Sequence, residues 1–293
     1  LLKWFLADLE APSDGFRHLA EQAEKHFQSA MAHMTGIEEE LQRDVARAAT
    51  ALIRKNKVEV RRLTLKAVER HATREGAEDL YWLLGRASEG QEAGMAFSRA
   101  IDLRPSHLPA LFSRAIYNFT NRRYDSAIAD LGVIVRLYPY VAEAYGERGL
   151  ARWFNRDQNG AMADLDHCLA LNPKLAWAFC MRAKLYFAQS NLERSLADFN
   201  DAIRLDPAMA LAYAGRSQVR LAMEDLTGAA DDAERAVTLA PEHYESHEAR
   251  GRVRLARGEP GALAEWDTAV ELAPADPPLR CRRAFVRFLQ GNT

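Results

Sequence analysis

His243 and His247 stand four residues apart in "EHYESHEAR", a spacing that sets two imidazoles on one face of a helix and would suit a metal ion. His167 and Cys168 are neighbours, and a thiol beside an imidazole is the pairing that activates a cysteine nucleophile. Arginines recur at Arg114, Arg148, Arg182, Arg216, Arg250 and Arg283, and acids at Asp130, Asp164, Asp198, Asp232 and Glu265. Such a row of guanidinium groups would either receive phosphate or carboxylate, or pair internally. No P-loop, dinucleotide fingerprint or GxSxG is present, and "GQEAG" at residues 90–94 reads as a loop.

The elements that carry these residues are legible from one recurring phrase. "MAFSRAIDLRP", "ADLGVIVRLYP", "ADLDHCLALNP", "ADFNDAIRLDP", "DDAERAVTLAP" and "AEWDTAVELAP" end at Pro105, Pro139, Pro173, Pro207, Pro241 and Pro274, at intervals of 34 residues and a last one of 33. A fixed period of this length marks an array in which each unit buries its apolar face only against its neighbours. Each phrase predicts the second helix of a hairpin. Ala93, Ala127, Ala161, Ser195, Ala229 or Ala262 allows close approach, Leu103, Leu137, Leu171, Leu205, Leu239 or Leu272 fills space near the helix end, and the proline stops the helix.

This register dissolves the catalytic candidates. Cys168 falls in the slot held by Ala100, Ala202, Ala236 and Ala269, and His247 in the packing slot of Leu111, Tyr145, Phe179 and Tyr213. No catalytic residue, metal ligand or cofactor is therefore expected, and the Arg and acid series is expected to form a structural ladder across the helices.

The first helices carry a small residue at Ala115, Gly149, Ala183, Ser217, Gly251 and Ala284. With the 34-residue period, and Ala plus Phe, Leu or Trp on the second helices, the chain resembles the tetratricopeptide repeat family over roughly residues 77–293. It departs from that family where the unit ending at Pro105 is about four residues short and where Arg152, Arg220 and Arg254 replace tyrosines. The resemblance implies an all-α fold, an α-α superhelix (solenoid) of about six helical hairpins plus a partial seventh. Residues 74–293 would form the array and 1–73 an N-terminal helical region that caps or links.

The function implied is that of a non-enzymatic scaffold binding a partner peptide or protein in the concave groove lined by the first helices. Groove residues are expected at Phe112, Ile116, Phe119, Leu150, Trp153, Phe154, Trp177, Lys184, Phe187, Gln218, Leu221 and Arg252, apolar and aromatic at one end and polar at the other. Some members of the family hold a C-terminal carboxylate with Lys and Asn on a first helix. Here the matching pairs read Phe112 with Ile116, Gly146 with Leu150, Cys180 with Lys184, Ala214 with Gln218 and Glu248 with Arg252, so an extended or helical peptide with apolar anchors is expected instead.

In the N-terminal region Phe16, Leu19, Ala23, Phe27, Ala30, Met31 and Met34 form one apolar stripe. Thr35 and Glu38 form a capping box before a second stripe through Ile37, Leu41, Val45, Ala48 and Leu52. Residues 26–41 also resemble the segment that closes the C-terminal lobe of bacterial serine/threonine kinases, with His26 at that family's Arg. The alternative function is accordingly a regulatory or partner-recruiting tail of a larger multidomain signalling protein. The basic stretch from Arg54 to Arg74 lacks interleaved aromatic residues and reads as a solvated helix face.

A net charge of −2 over 293 residues gives no overall attraction to nucleic acid, so nucleic acid is not an expected partner. No apolar run reaches the length of a membrane span, and three cysteines without a pairing pattern favour a reducing, cytoplasmic setting. Arg283, Ala284, Phe285, Phe288 and Leu289 begin a further hairpin, and self-association through this uncapped C-terminal end is expected.

Overall fold

Six helices end on the leucine that stands two residues before each repeat proline: α4 (Gly90–Leu103), α6 (Tyr124–Leu137), α8 (Gln158–Leu171), α10 (Leu192–Leu205), α12 (Leu226–Leu239) and α14 (Ala262–Leu272). Their partners are α3 (Ala77–Ala87), α5 (Leu108–Thr120), α7 (Ala142–Phe154), α9 (Ala176–Ala188), α11 (Ala210–Ala222) and α13 (Tyr244–Ala256), with α1 (Ile37–Ile53) and α2 (Lys57–His71) before them and α15 (Pro277–Leu289) after. The computed structural model describes residues 37–274 and 277–289, and these contain fifteen helices and no strand. The fold is all-α, of the helical-hairpin solenoid class.

Local chemistry fixes the helix starts. Asn56, Asp157, Asn191 and Asp225 cap their helices by accepting the backbone N–H of Glu59, Gly160, Arg194 and Gly228. The turns inside the five hairpins from α5 and α6 to α13 and α14 each hold a residue with positive φ: Arg122 (59°), Arg156 (65°), Ser190 (59°), Glu224 (64°) and Gly258 (65°). Only Gly258 takes this left-handed conformation without a Cβ clash.

"GQEAG" is not a loop but the first turn of α4. Gly94 is there for packing: a Cβ would come within 2.5 Å of the Tyr117 ring on α5. Leu137, Leu171 and Leu272 are exposed rather than space-filling, because a helix's last residue sits at the rim of its neighbours.

The chain forms two units, one ending at Asn155 and one beginning at Arg156. In the first, consecutive helices from α1 to α7 pack on one another, and α1 and α5 also touch α3. Its core joins Trp82, Leu83, Phe97, Leu111, Phe112, Leu131 and Ile134. The expected α1 stripe faces inward: Leu41 and Ala48 are buried, while Val45 and Leu52 pack against the core. The stripe from Phe16 to Met34, Thr35 of the capping box and most of the kinase-like segment lie outside the described residues.

In the second unit α8 to α15 pack consecutively, and α9, α11 and α13 also touch in sequence. The small slots close the helices together. Ser195 Oγ donates to Ala183 O and Ser217 Oγ donates to Ala229 O, both at 2.8 Å, so a hydroxyl in either slot bonds the facing backbone. Phe199 lies over Gly215, and Trp266 over Gly251. Cys168 and Cys180 are buried, Cys281 is exposed, and none is in a disulfide.

Candidate functional site

The arginine series is used internally wherever the described pairs lie within one unit. Arg114 donates to Asp130 through Nε and Nη2 at 2.9 and 2.6 Å, and its Nη1 reaches Ser98 on the preceding hairpin at 3.2 Å. Arg216 repeats the pattern with Asp232 at 2.8 and 2.7 Å and Asn200 at 2.7 Å. Arg250 joins Glu265 to Glu234, and Arg283 reaches Asp267. Arg114, Arg216 and Arg250 thus each span an acid fifteen or sixteen residues ahead and a polar group on the hairpin behind, while Arg283, among the described residues, makes only the backward link. The second link is not legible in the sequence, because the receiving residue varies from Ser98 to Asn200 to Glu234.

The arginines that replace family tyrosines turn to the same acids. Arg220 reaches Asp232 at 3.0 Å and Arg254 reaches Glu265 at 2.8 Å. Burial pushes the Glu265 carboxyl up, and hydrogen bonds from His247 and Arg250 with the charges of Arg250 and Arg254 outweigh it, holding the group below its ordinary value.

The histidine pair does not converge. His247 is buried, with Nδ1 2.8 Å from Glu265 and Nε2 2.9 Å from the Pro241 carbonyl, whereas His243 is exposed. Cys168 is buried in its alanine slot, while its neighbour His167 is exposed.

In the first unit, the expected partner-facing residues separate by depth. Phe112 is 2% exposed and lies in the core, supporting the face rather than lining it. Ile116, Phe119, Leu150 and Trp153 are half-buried, and Phe154 is 53% exposed. Phe119 meets Phe154 edge-on at 5.3 Å and Tyr124 at 5.5 Å, Tyr124 stacks on Phe154 at 5.7 Å, and Trp153 lies 6.2 Å from Phe154. The rings form one cluster at the ends of α5 and α7, with Phe154 its outermost member.

Glu147 was not picked out by sequence spacing, since no other repeat has an acid in its slot. It lies three and seven residues before Leu150 and Phe154, hence on their stripe of α7. Burial pushes its carboxyl up to about 7.

In the second unit Trp177, Lys184, Phe187, Gln218, Leu221 and Arg252 are all half-buried. Phe187 and Leu221 pack against their local cores. Burial pushes the Cys180 thiol up to about 11 against the opposing charge of Lys184. Arg252 donates to Glu248, which also accepts from Arg282, so the charge at this position is already matched.

In the first unit, a cleft of about 880 Å³ among α3, α4 and α5 is lined by Tyr81, Met95, Arg99, Arg114, Tyr117 and Arg123 among others. Arg114 is committed to Asp130 and Ser98 there, and Arg99 lies over the Tyr81 ring.

The family model described as tetratricopeptide repeat matches residues 142–175 and 178–209. No curated protein matches the sequence. Among solved structures, a tetratricopeptide repeat protein from Parabacteroides merdae is similar with a TM-score of 0.69 at 20% identity, over 82% of this chain and 96% of that one. The APC/C hetero-tetramer Cut9–Hcn1 is similar with a TM-score of 0.62 at 17% identity, over 90% of this chain and 58% of that one. A thermophilic tetratricopeptide repeat protein in Thermus thermophilus gives 0.53 at 22% identity, over 59% and 95%. At these identities the likeness is one of fold. No described helix is long and apolar enough to cross a membrane.

Proposed function

We propose, for a chain that is a tetratricopeptide repeat protein, the role of a non-enzymatic scaffold that holds a partner peptide on the first-helix face of its hairpins. Repeats of this kind generally serve as interaction scaffolds. One observation carries the proposal: the α7 stripe of Glu147, Leu150 and Phe154 combines a desolvated carboxylate, an aliphatic side chain and a half-exposed ring on a rigid helix. Aromatic anchors beside a matched charge are what a bound segment uses for affinity and register. The preferred ligand is an extended or helical segment with apolar anchors and one Lys or Arg for Glu147. Trp177, Lys184, Phe187, Gln218, Leu221 and Arg252 extend the same kind of face in the second unit.

Phe285, Phe288 and Leu289 on α15 are 59%, 74% and 52% exposed and form a second contact surface in this reading, self-association being its simplest use. Three cysteines outside any disulfide are in keeping with a cytoplasmic setting.

Selection of a random peptide library on the immobilised full chain tests the role. Enrichment of sequences with spaced apolar residues and a basic one is expected. Glu147→Gln should remove the basic preference, and Phe154→Ser should lower capture. Identical enrichment on wild type and on a Trp153→Ala, Phe154→Ser double variant would sink the proposal.

A further inference from the structure

Glu40 and Asp44 stand one turn apart on α1, and His71 ends α2, which packs on it. One ligand atom from each lies within 4.8 Å of the other two. Two carboxylates near each other are ordinary on a helix surface, but the histidine is not ordinary. His71 is 2% exposed, and neither Nδ1 nor Nε2 makes a hydrogen bond. Asp44 is buried as well, and its Oδ2 likewise has no hydrogen-bond partner. Dry, unbonded imidazole nitrogens and a dry carboxylate oxygen are costly, and native interiors rarely hold them without a function.

The separation of the two groups points to what they share. His71 Nε2 and Asp44 Oδ2 face each other at 3.6 Å. A charge-assisted hydrogen bond between them would close to about 2.7–2.9 Å, so this is not one. Two ligands on a single tetrahedral ion, each about 2.0–2.1 Å from the metal, lie roughly 3.3 Å apart, which is near the observed distance. We infer that Glu40, Asp44 and His71 bind a divalent transition-metal ion, with zinc the leading candidate, and so clasp α1 to α2.

An imidazole among the donors favours zinc-like ions over magnesium or calcium, which prefer all-oxygen sets. Three protein ligands leave a fourth position for water. Arg70 occupies the same carboxylates, with Nη1 2.6 Å from Glu40 Oε1 and Nη2 3.4 Å from Asp44 Oδ2, and Arg47 lies 3.8 Å from Asp44 Oδ1. The Arg70 side chain is 41% exposed, so the incoming dication displaces it to solvent and takes over the charge balance. His243 and His247, the spacing that looked metal-like in sequence, have no part in this set.

The test uses the full chain freed of metal by a chelator, with Zn²⁺ alone and Co²⁺ alone as probes. One equivalent of Zn²⁺ is expected to bind and raise the thermal midpoint, and Co²⁺ to give visible ligand-field absorption. Glu40→Gln and Asp44→Asn should each weaken Zn²⁺ binding by at least about tenfold, whereas His243→Asn should leave it unchanged. Glu40 is half-buried at the helix surface, so its variant decides the matter even if Asp44→Asn fails to fold. No stoichiometric binding, or binding of equal strength in Glu40→Gln, would overturn the inference and leave His71 beside Asp44 as a purely structural pair.

Discussion

Arg182 grips Asp198 with two nitrogens, Nε at 2.7 Å and Nη2 at 2.9 Å, while its Nη1 reaches Asp166 on the preceding hairpin at 2.8 Å. The same three-point grip recurs at Arg114 and Arg216, so a planar fork joins both helices of one hairpin to the hairpin before it. The hydrogen bond to Asp198 is the largest cause of the Arg182 guanidinium being held even more firmly protonated than usual.

Arg182→Leu leaves Asp198, whose side chain is 7% exposed, without its partner, and is expected to cost about 2–4 kcal/mol in denaturant unfolding. Asp166 is 51% exposed, so Asp166→Ala should cost less than about 1 kcal/mol. A double-mutant cycle of Arg182→Leu with Asp198→Leu checks the assignment. Strong coupling is required; additive losses would mean that the pair is incidental.

The hairpin turns give a second prediction. Glu224 sits at φ 64° and Ser190 at φ 59°, where an L side chain is strained and glycine is not. Glu224→Gly and Ser190→Gly should each stabilise the chain by up to about 1 kcal/mol, the relief of strain being offset in part by the freer unfolded backbone. Gly258→Ala in the equivalent turn, at φ 65°, should destabilise. Thermal midpoints of the three variants read the sign directly.

These turns show where sequence reading stops. The prolines and leucines announced six helix ends, because loss of a backbone N–H acts locally and identically in each repeat. The left-handed turn residue was invisible, since Arg122, Arg156, Ser190 and Glu224 have no chemistry in common and only the backbone demands the conformation. "GQEAG" misled for the complementary reason: glycine signals a turn, but Gly94 serves the approach of the Tyr117 ring. In the candidate site, periodicity put Leu150, Trp153 and Phe154 on one stripe and set Phe112 beside them; the first three are half-buried or exposed, whereas Phe112 is in the core, because one helical position shifts a ring from face to core. Glu147 was missed as a single occurrence in its slot, and desolvation is a property of surroundings.

Glu147 makes stability depend on pH. Its carboxyl has an ordinary value of 4.5 and is raised to about 7 in the fold by burial. Below pH 4.5 both states carry the proton and the group contributes nothing differential. Between 4.5 and 7 the unfolded chain releases the proton while the folded chain keeps it, so stability falls as pH rises and levels off above 7. The loss is bounded by about 3.5 kcal/mol, at about 1.4 kcal/mol for each unit. Glu147→Gln should match wild type at pH 4 and exceed it at pH 8, as urea titrations at the two pH values would reveal. Equal curves at both would refute the assigned burial.

The face itself is tested by two phenylalanines that look alike in sequence. Phe112 is 2% exposed and fills the core beside Leu111, so Phe112→Ala opens a cavity and is expected to cost about 3–5 kcal/mol. Phe154 is 53% exposed and meets the rim rings Phe119, Tyr124 and Trp153, so Phe154→Ser should cost less than about 1.5 kcal/mol. Binding should rank them the other way. A peptide selected on the wild-type chain should lose roughly thirtyfold in affinity for Phe154→Ser, the effect of removing an anchor contact of about 2 kcal/mol. Phe112→Ala, measured at a temperature where it is still folded, should lose far less. Unfolding curves fix the first order and fluorescence anisotropy of the labelled peptide the second. Should Phe154→Ser bind as wild type while Phe112→Ala does not, the ring cluster at the end of α7 is only a hydrophobic edge, and the partner engages a different part of the first-helix face.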